Sequence, residues 1–198
     1  MNATHESNER LVTADEMLRM PDDGFRYHLI KGELQQKALS GGFHGIIAAR
    51  FGGVLGQYVE AHDLGETVAA AGFQLEHNPD TVLVPDVAFV DNKRLPVGTF
   101  PDGFWNIAPN LVFEVVQAGE KAEAIQRRVI LYFLAGVPLV LLVYPRCRTM
   151  EVYSHGLSSR PRLATLTAYG ILELPEILPE FRYEVGRMFV RHRVRRDL

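Results

Sequence analysis

Leu111-Val112-Phe113-Glu114-Val115-Val116 and Val137-Pro138-Leu139-Val140-Leu141-Leu142-Val143-Tyr144 decide the fold class. Both runs are apolar at odd and even positions alike, as strands buried on two faces of a sheet are. Between them residues 120–135 carry a helical pattern, which Gly136 caps and Pro138 ends. Parallel strands need a crossover, usually a helix, so this order predicts a parallel pair joined right-handedly.

Upstream, the pattern predicts a short helix over residues 13–20, with Thr13 and Glu16 at capping-box spacing. A hairpin over residues 25–38 turns at Lys31-Gly32, and a long helix runs over residues 44–62. Gly52, Gly53 and Gly56 read there as points of close packing against a neighbour. Strands are expected at 73–75, 81–90 and 111–116, a Pro- and Gly-rich loop at 95–103, and a more exposed hairpin strand from Met150 to Tyr153. These elements make a mixed α/β domain with one sheet. The expected organisation is a leader at 1–10, a single domain at 11–190 and a basic tail at 191–198.

The chain has 198 residues, is 47% hydrophobic and carries a formal net charge of −3. That composition suits one globular domain and disfavours a protein that coats nucleic acid through bulk positive charge. One cysteine excludes a disulfide framework, and no apolar run is long enough for a membrane span. With a polar N-terminus lacking a signal-peptide profile, the expectation is a soluble, cytoplasmic protein. No Gly-rich phosphate loop, Gly-x-Ser-x-Gly elbow or His-Glu-x-x-His helix occurs.

Two carboxylates interrupt apolar strands. Asp86 divides Val82-Leu83-Val84-Pro85 from Val87-Ala88-Phe89-Val90, and Glu114 divides Leu111-Val112-Phe113 from Val115-Val116. A buried ionised carboxylate must be paired or hydrogen-bonded. If the two strands are neighbours, the acids form an oxygen-rich pocket suited to Mg²⁺ or Mn²⁺. If not, each pairs with an arginine such as Arg50, Arg127 or Arg128. Pattern leaves both readings open.

The ordered set of motifs resembles the Uma-type family of restriction endonucleases, within the PD-(D/E)xK nuclease superfamily. The resemblance rests on Thr13-Ala14-Asp15-Glu16, Tyr27 to Leu34, Gly72-Phe73, Val84-Pro85-Asp86, Ala108 to Val116, Leu131-Tyr132, Ala135 to Pro138 and Leu178 to Phe181. It implies a restriction-endonuclease-like core, a mixed β-sheet flanked by helices, with metal-assisted hydrolysis of DNA. By the same resemblance Asp86 and Glu114 are metal-binding acids, with the Val115 carbonyl as a backbone ligand. His28, Arg128 and His44 complete the implied site. Mg²⁺ or Mn²⁺ is the implied cofactor, DNA the implied substrate and a homodimer the implied assembly.

Four positions depart from the family pattern. His28 stands in place of an acid and would shift metal preference toward Mn²⁺ or abolish a second metal site. Arg128 stands in place of a lysine; it keeps the charge but cannot accept a proton, and Lys121 is a candidate replacement. Ala124 and Tyr144 replace two further acids. A site altered at this many positions suits either a nuclease or an inactive relative that binds nucleic acid or protein.

Overall fold

The computed structural model describes residues 10–37, 41–155 and 161–190, so residues 1–9 of the expected leader and all of the basic tail lie outside the described residues. The described chain contains α1 (Ala14–Leu18), β1 (Arg26–Ile30), β2 (Glu33–Lys37), α2 (Gly42–Ala61), β3 (Gly65–Ala69), β4 (Phe73–Glu76), β5 (Thr81–Leu83) and β6 (Val87–Asp91). It continues through β7 (Leu111–Val115), α3 (Ala122–Leu134), β8 (Leu139–Tyr144), β9 (Thr149–His155), β10 (Pro161–Thr167), β11 (Ile171–Leu174), β12 (Leu178–Glu184) and a 3₁₀ turn (Val185–Phe189). Among the described residues no helix is long and apolar enough to cross a membrane.

The central sheet is mixed, in the order β10-β9-β8-β7-β6-β3. β7 and β8 are parallel, paired from Leu111↔Leu139 to Val115↔Val143, and α3 is their crossover. Side-chain alternation explains their continuous apolar sequence. Leu111, Phe113, Val115, Leu139, Leu141 and Val143 enter the core beneath α2, while Val112, Val140 and Leu142 enter the one beneath α3. Ile47, Phe51, Leu55 and Val59 recur every four residues along α2 and are buried. The Phe51 and Phe113 rings stack with centroids 4.1 Å apart.

The expected single sheet is in fact three. Beside the central sheet stand a four-stranded sheet, β2-β1-β5-β4, and the pair β11-β12. The strand expected over residues 81–90 is divided between the two larger sheets: β5 belongs to the small sheet and β6 to the central one. Pro85 explains the break, because it has no N–H to continue a ladder. The residues 84–86 carry the chain from one sheet to the other.

The turn at Lys31-Gly32 has positive φ at both residues (54° and 81°), as a tight two-residue hairpin demands. The Thr13–Glu16 capping box forms as expected. Of the α2 glycines, Gly52 does approach a neighbour closely: a Cβ there would lie 3.2 Å from Val87. Gly53 is different. A Cβ there would meet nothing within 4 Å, so close packing does not account for it.

Candidate active site

The switch between sheets leaves backbone groups without ladder partners, and buried polar groups of this kind must be satisfied. Side chains do this. The Val84 N–H donates to His28 Nδ1 (3.1 Å), and the Val84 carbonyl accepts from Lys37 Nζ (2.8 Å). The last ladder pair between β6 and β7 is Val87↔Phe113, so Asp86 lies one step beyond, in register with Glu114. There the Asp86 carboxylate takes over as acceptor: the Val115 N–H donates to Oδ2 (2.8 Å).

Asp86 has two more partners. Lys37 Nζ lies 3.2 Å from Oδ1, and His44 Nε2 lies 3.1 Å from Oδ2. Burial alone would raise the Asp86 pKa. The His44 hydrogen bond, the Lys37 charge and the Val115 amide outweigh it and hold the pKa down at about 2. Asp86, Lys37, His44 and Arg26 stand together at a groove of about 650 Å³ between α2 and β3, whose α2 wall includes Gly45, Gly52 and Gly53.

Glu114 is held differently. Arg128 places Nε 3.0 Å and a terminal nitrogen 2.9 Å from Oε2, while the Tyr132 hydroxyl donates to Oε1 (2.7 Å). Arg128 and Tyr132 sit four residues apart on α3, hence on one face, both buried. The remaining guanidinium nitrogen of Arg128 meets Glu120 at 2.6 Å. Burial would raise the Glu114 pKa, but the charges of Arg128 and Lys37 and the Tyr132 hydrogen bond bring it below its ordinary value. The arginine pairing that the sequence left open is therefore present at Glu114. Asp86 instead pairs with a lysine.

His28 is buried, and its pKa is lowered to about 3, first by burial and then by the Lys37 and Arg128 charges against the pull of Glu114 and Asp86. Its Nδ1 accepts a hydrogen bond, so the proton of the neutral ring is on Nε2 and neither nitrogen offers a lone pair to a metal. The metal-ligand role implied for His28 does not suit this arrangement. Lys121 is the exposed N-cap of α3, and Tyr144 hydrogen-bonds Glu151 (2.9 Å) in a separate network. Neither restores the departed pattern.

Lys37 is the residue that reading the sequence missed, although the hairpin turn contains the signal. A turn at residues 31–32 pairs His28 with Gln35 and Arg26 with Lys37, and strand alternation then places Lys37 on the face of His28.

A divalent ion can be tested against this donor set. A carboxylate has about four lone-pair positions. Asp86 uses three of them, for Lys37, His44 and Val115, and Glu114 uses three, for two Arg128 nitrogens and Tyr132. Among the described residues no three His, Cys, Asp or Glu side chains are grouped for a metal, so a closed all-protein cage does not fit. An Mg²⁺-type ion asks for less, since it is commonly held by one or two carboxylates and keeps its other positions for water and phosphate, and one lone-pair position on each acid is left for it.

The family model for Uma2, described as "Putative restriction endonuclease", matches residues 14–186. A crystal structure from Anabaena variabilis ATCC 29413, described as a "putative nuclease belonging to DUF820", superposes with a TM-score of 0.74. It shares 19% identity and covers 90% of this chain and 97% of its own, a likeness of fold. Among curated proteins there is no match.

Proposed function

The chain belongs to the Uma2 family, and from that premise we propose that it is a divalent-metal-dependent DNA endonuclease hydrolysing phosphodiester bonds at the Asp86 end of the α2–β3 groove. The observation that carries the proposal is the ionised Asp86 carboxylate, held by His44, Lys37 and the Val115 amide, at a groove of about 650 Å³.

In this reading Asp86, Glu114 and the Val115 carbonyl hold one Mg²⁺ or Mn²⁺. When bound, such an ion supplies an activated water and neutralises charge on the leaving oxygen. His44 orients Asp86 through Nε2 and keeps it ionised. Arg128 has a positioning role: its donors bind Glu114 and Glu120, so it fixes Glu114 and does not meet substrate. His28 holds the Val84 amide and so the path of the switch segment.

One observation favours a second reading, a non-catalytic relative that binds nucleic acid or protein. Glu114 has only 4% of its side chain exposed and is bonded at both oxygens, the state of a structural anion. Incubation of supercoiled plasmid with Mg²⁺, Mn²⁺ or EDTA separates the two. Nicked or linear product with metal and none with EDTA supports the nuclease. Intact plasmid with both metals, across supercoiled, linear and single-stranded DNA, supports the second reading.

A further inference from the structure

We propose that the cross-strand pair Arg26 and Lys37 is the seat of a DNA backbone phosphate beside Asp86, with Lys37 as the cation facing the reacting phosphodiester. This rests on the nuclease reading and names the residues that hold its substrate.

The hairpin register places Arg26 directly opposite Lys37, so two cations share one face of the β1–β2 pair. Like charges in that relation destabilise a sheet. A local conflict of this kind marks a position kept for function, where a ligand of opposite charge relieves it. Both residues line the groove. Asp86 answers one of the two charges, so the pair retains an excess positive charge there on a chain whose net charge is −3.

Donor accounting identifies what the pair can still bind. Lys37 is 15% exposed at its side chain and uses two of three ammonium donors, on Val84 and Asp86. Arg26 is exposed, and among the described residues it donates to the Ala70 carbonyl, at 3.3 Å. Most of its five donors are left in a fork that suits phosphate oxygens. The other cation of the site, Arg128, is taken by Glu114 and Glu120, is buried, and does not line the groove. Lys37 therefore holds the role that Arg128 is not free to fill.

The test reads binding apart from cleavage. A fluorescein-labelled DNA oligonucleotide is titrated in EDTA at several salt concentrations, followed by anisotropy, and plasmid cleavage with Mn²⁺ is measured on the same preparations. Arg26→Gln and Lys37→Met should each weaken binding, by about 5- to 10-fold, and lower the salt slope by about 1. Lys37→Arg should restore binding, and the exposed Arg127→Gln on α3 should change neither quantity. Cleavage by Lys37→Met should fall by roughly 100-fold or more, and thermal denaturation should show each variant folded. Wild-type affinity and salt slope in both neutral variants would overturn the seat, as would an equal loss in Arg127→Gln or a wild-type chain that binds no DNA. A wild type that binds through Lys37 yet never cleaves would refute the nuclease reading and sustain the seat. Wild-type binding and cleavage by Lys37→Met would refute the seat and leave the nuclease reading standing.

Discussion

Acid should destabilise this fold through His28 at a pH where ordinary carboxylates remain ionised. An unfolded histidine titrates near 6.5, whereas buried His28 titrates at about 3. Between those values the unfolded chain binds a proton that the folded chain refuses. The contribution is fully present above about pH 6.5 and is lost as pH falls toward 3, at about 1.4 kcal/mol per pH unit. From pH 7.5 to pH 5.0 that amounts to about 2 kcal/mol, and across the whole shift to about 5 kcal/mol. Urea unfolding followed by Trp105, the chain's one tryptophan and a buried one, measures it at both pH values. His28→Asn is the comparison, because its carbonyl can still accept from the Val84 N–H. The variant loses ring volume and should be less stable at either pH, so the informative quantity is the difference between them. Wild type should lose about 2 kcal/mol more than His28→Asn on acidification. Equal losses in the two proteins would refute the reasoning.

The Glu114 cluster gives two further expectations. Arg128→Met strands a buried carboxylate and should cost about 3–5 kcal/mol, whereas Tyr132→Phe removes one bond to a charged group and should cost about 1.5–3 kcal/mol, both read by chemical denaturation. Asp86 adds a second, lower acid limit: its stabilisation is complete above about pH 4 and is lost as pH falls through about 2, which Asp86→Asn should abolish. At Gly53 a side chain meets open groove, so Gly53→Ala should stabilise α2 by up to about 1 kcal/mol. Gly53→Leu should fold as well and bind oligonucleotide more weakly; unchanged binding would remove the groove from the substrate path.

The order of elements around β7, α3 and β8 was readable because periodicity, the Gly136 cap and the crossover rule agree there. The division of residues 81–90 between two sheets was not, because pattern registers apolar alternation and not which ladder a strand joins. Pro85 held the warning. β3 was absent from the expected elements and β11–β12 were not resolved as strands, although Leu172 and Leu174 alternate with exposed neighbours and carried a period-2 signal. At the site, the two acids were visible as exceptions to local pattern, whereas Arg128 and His44 entered as site residues only through the family resemblance. Lys37 was not, since a lysine ending an exposed hairpin strand is ordinary until register turns it toward Asp86. Nor was the separate handling of the acids, Asp86 by α2 and the hairpin and Glu114 by α3, which depends on contacts distant in sequence.

Plasmid cleavage by wild type and Asp86→Asn, side by side with Mn²⁺ at neutral pH, tests the central claim most directly. The substitution keeps the size of the side chain and its carbonyl acceptor for the Val115 amide, so the variant should fold. Wild type should nick or linearise the DNA, and folded Asp86→Asn should leave it intact. Cleavage by both at the same rate would place the chemistry elsewhere, and cleavage by neither would contradict the nuclease assignment.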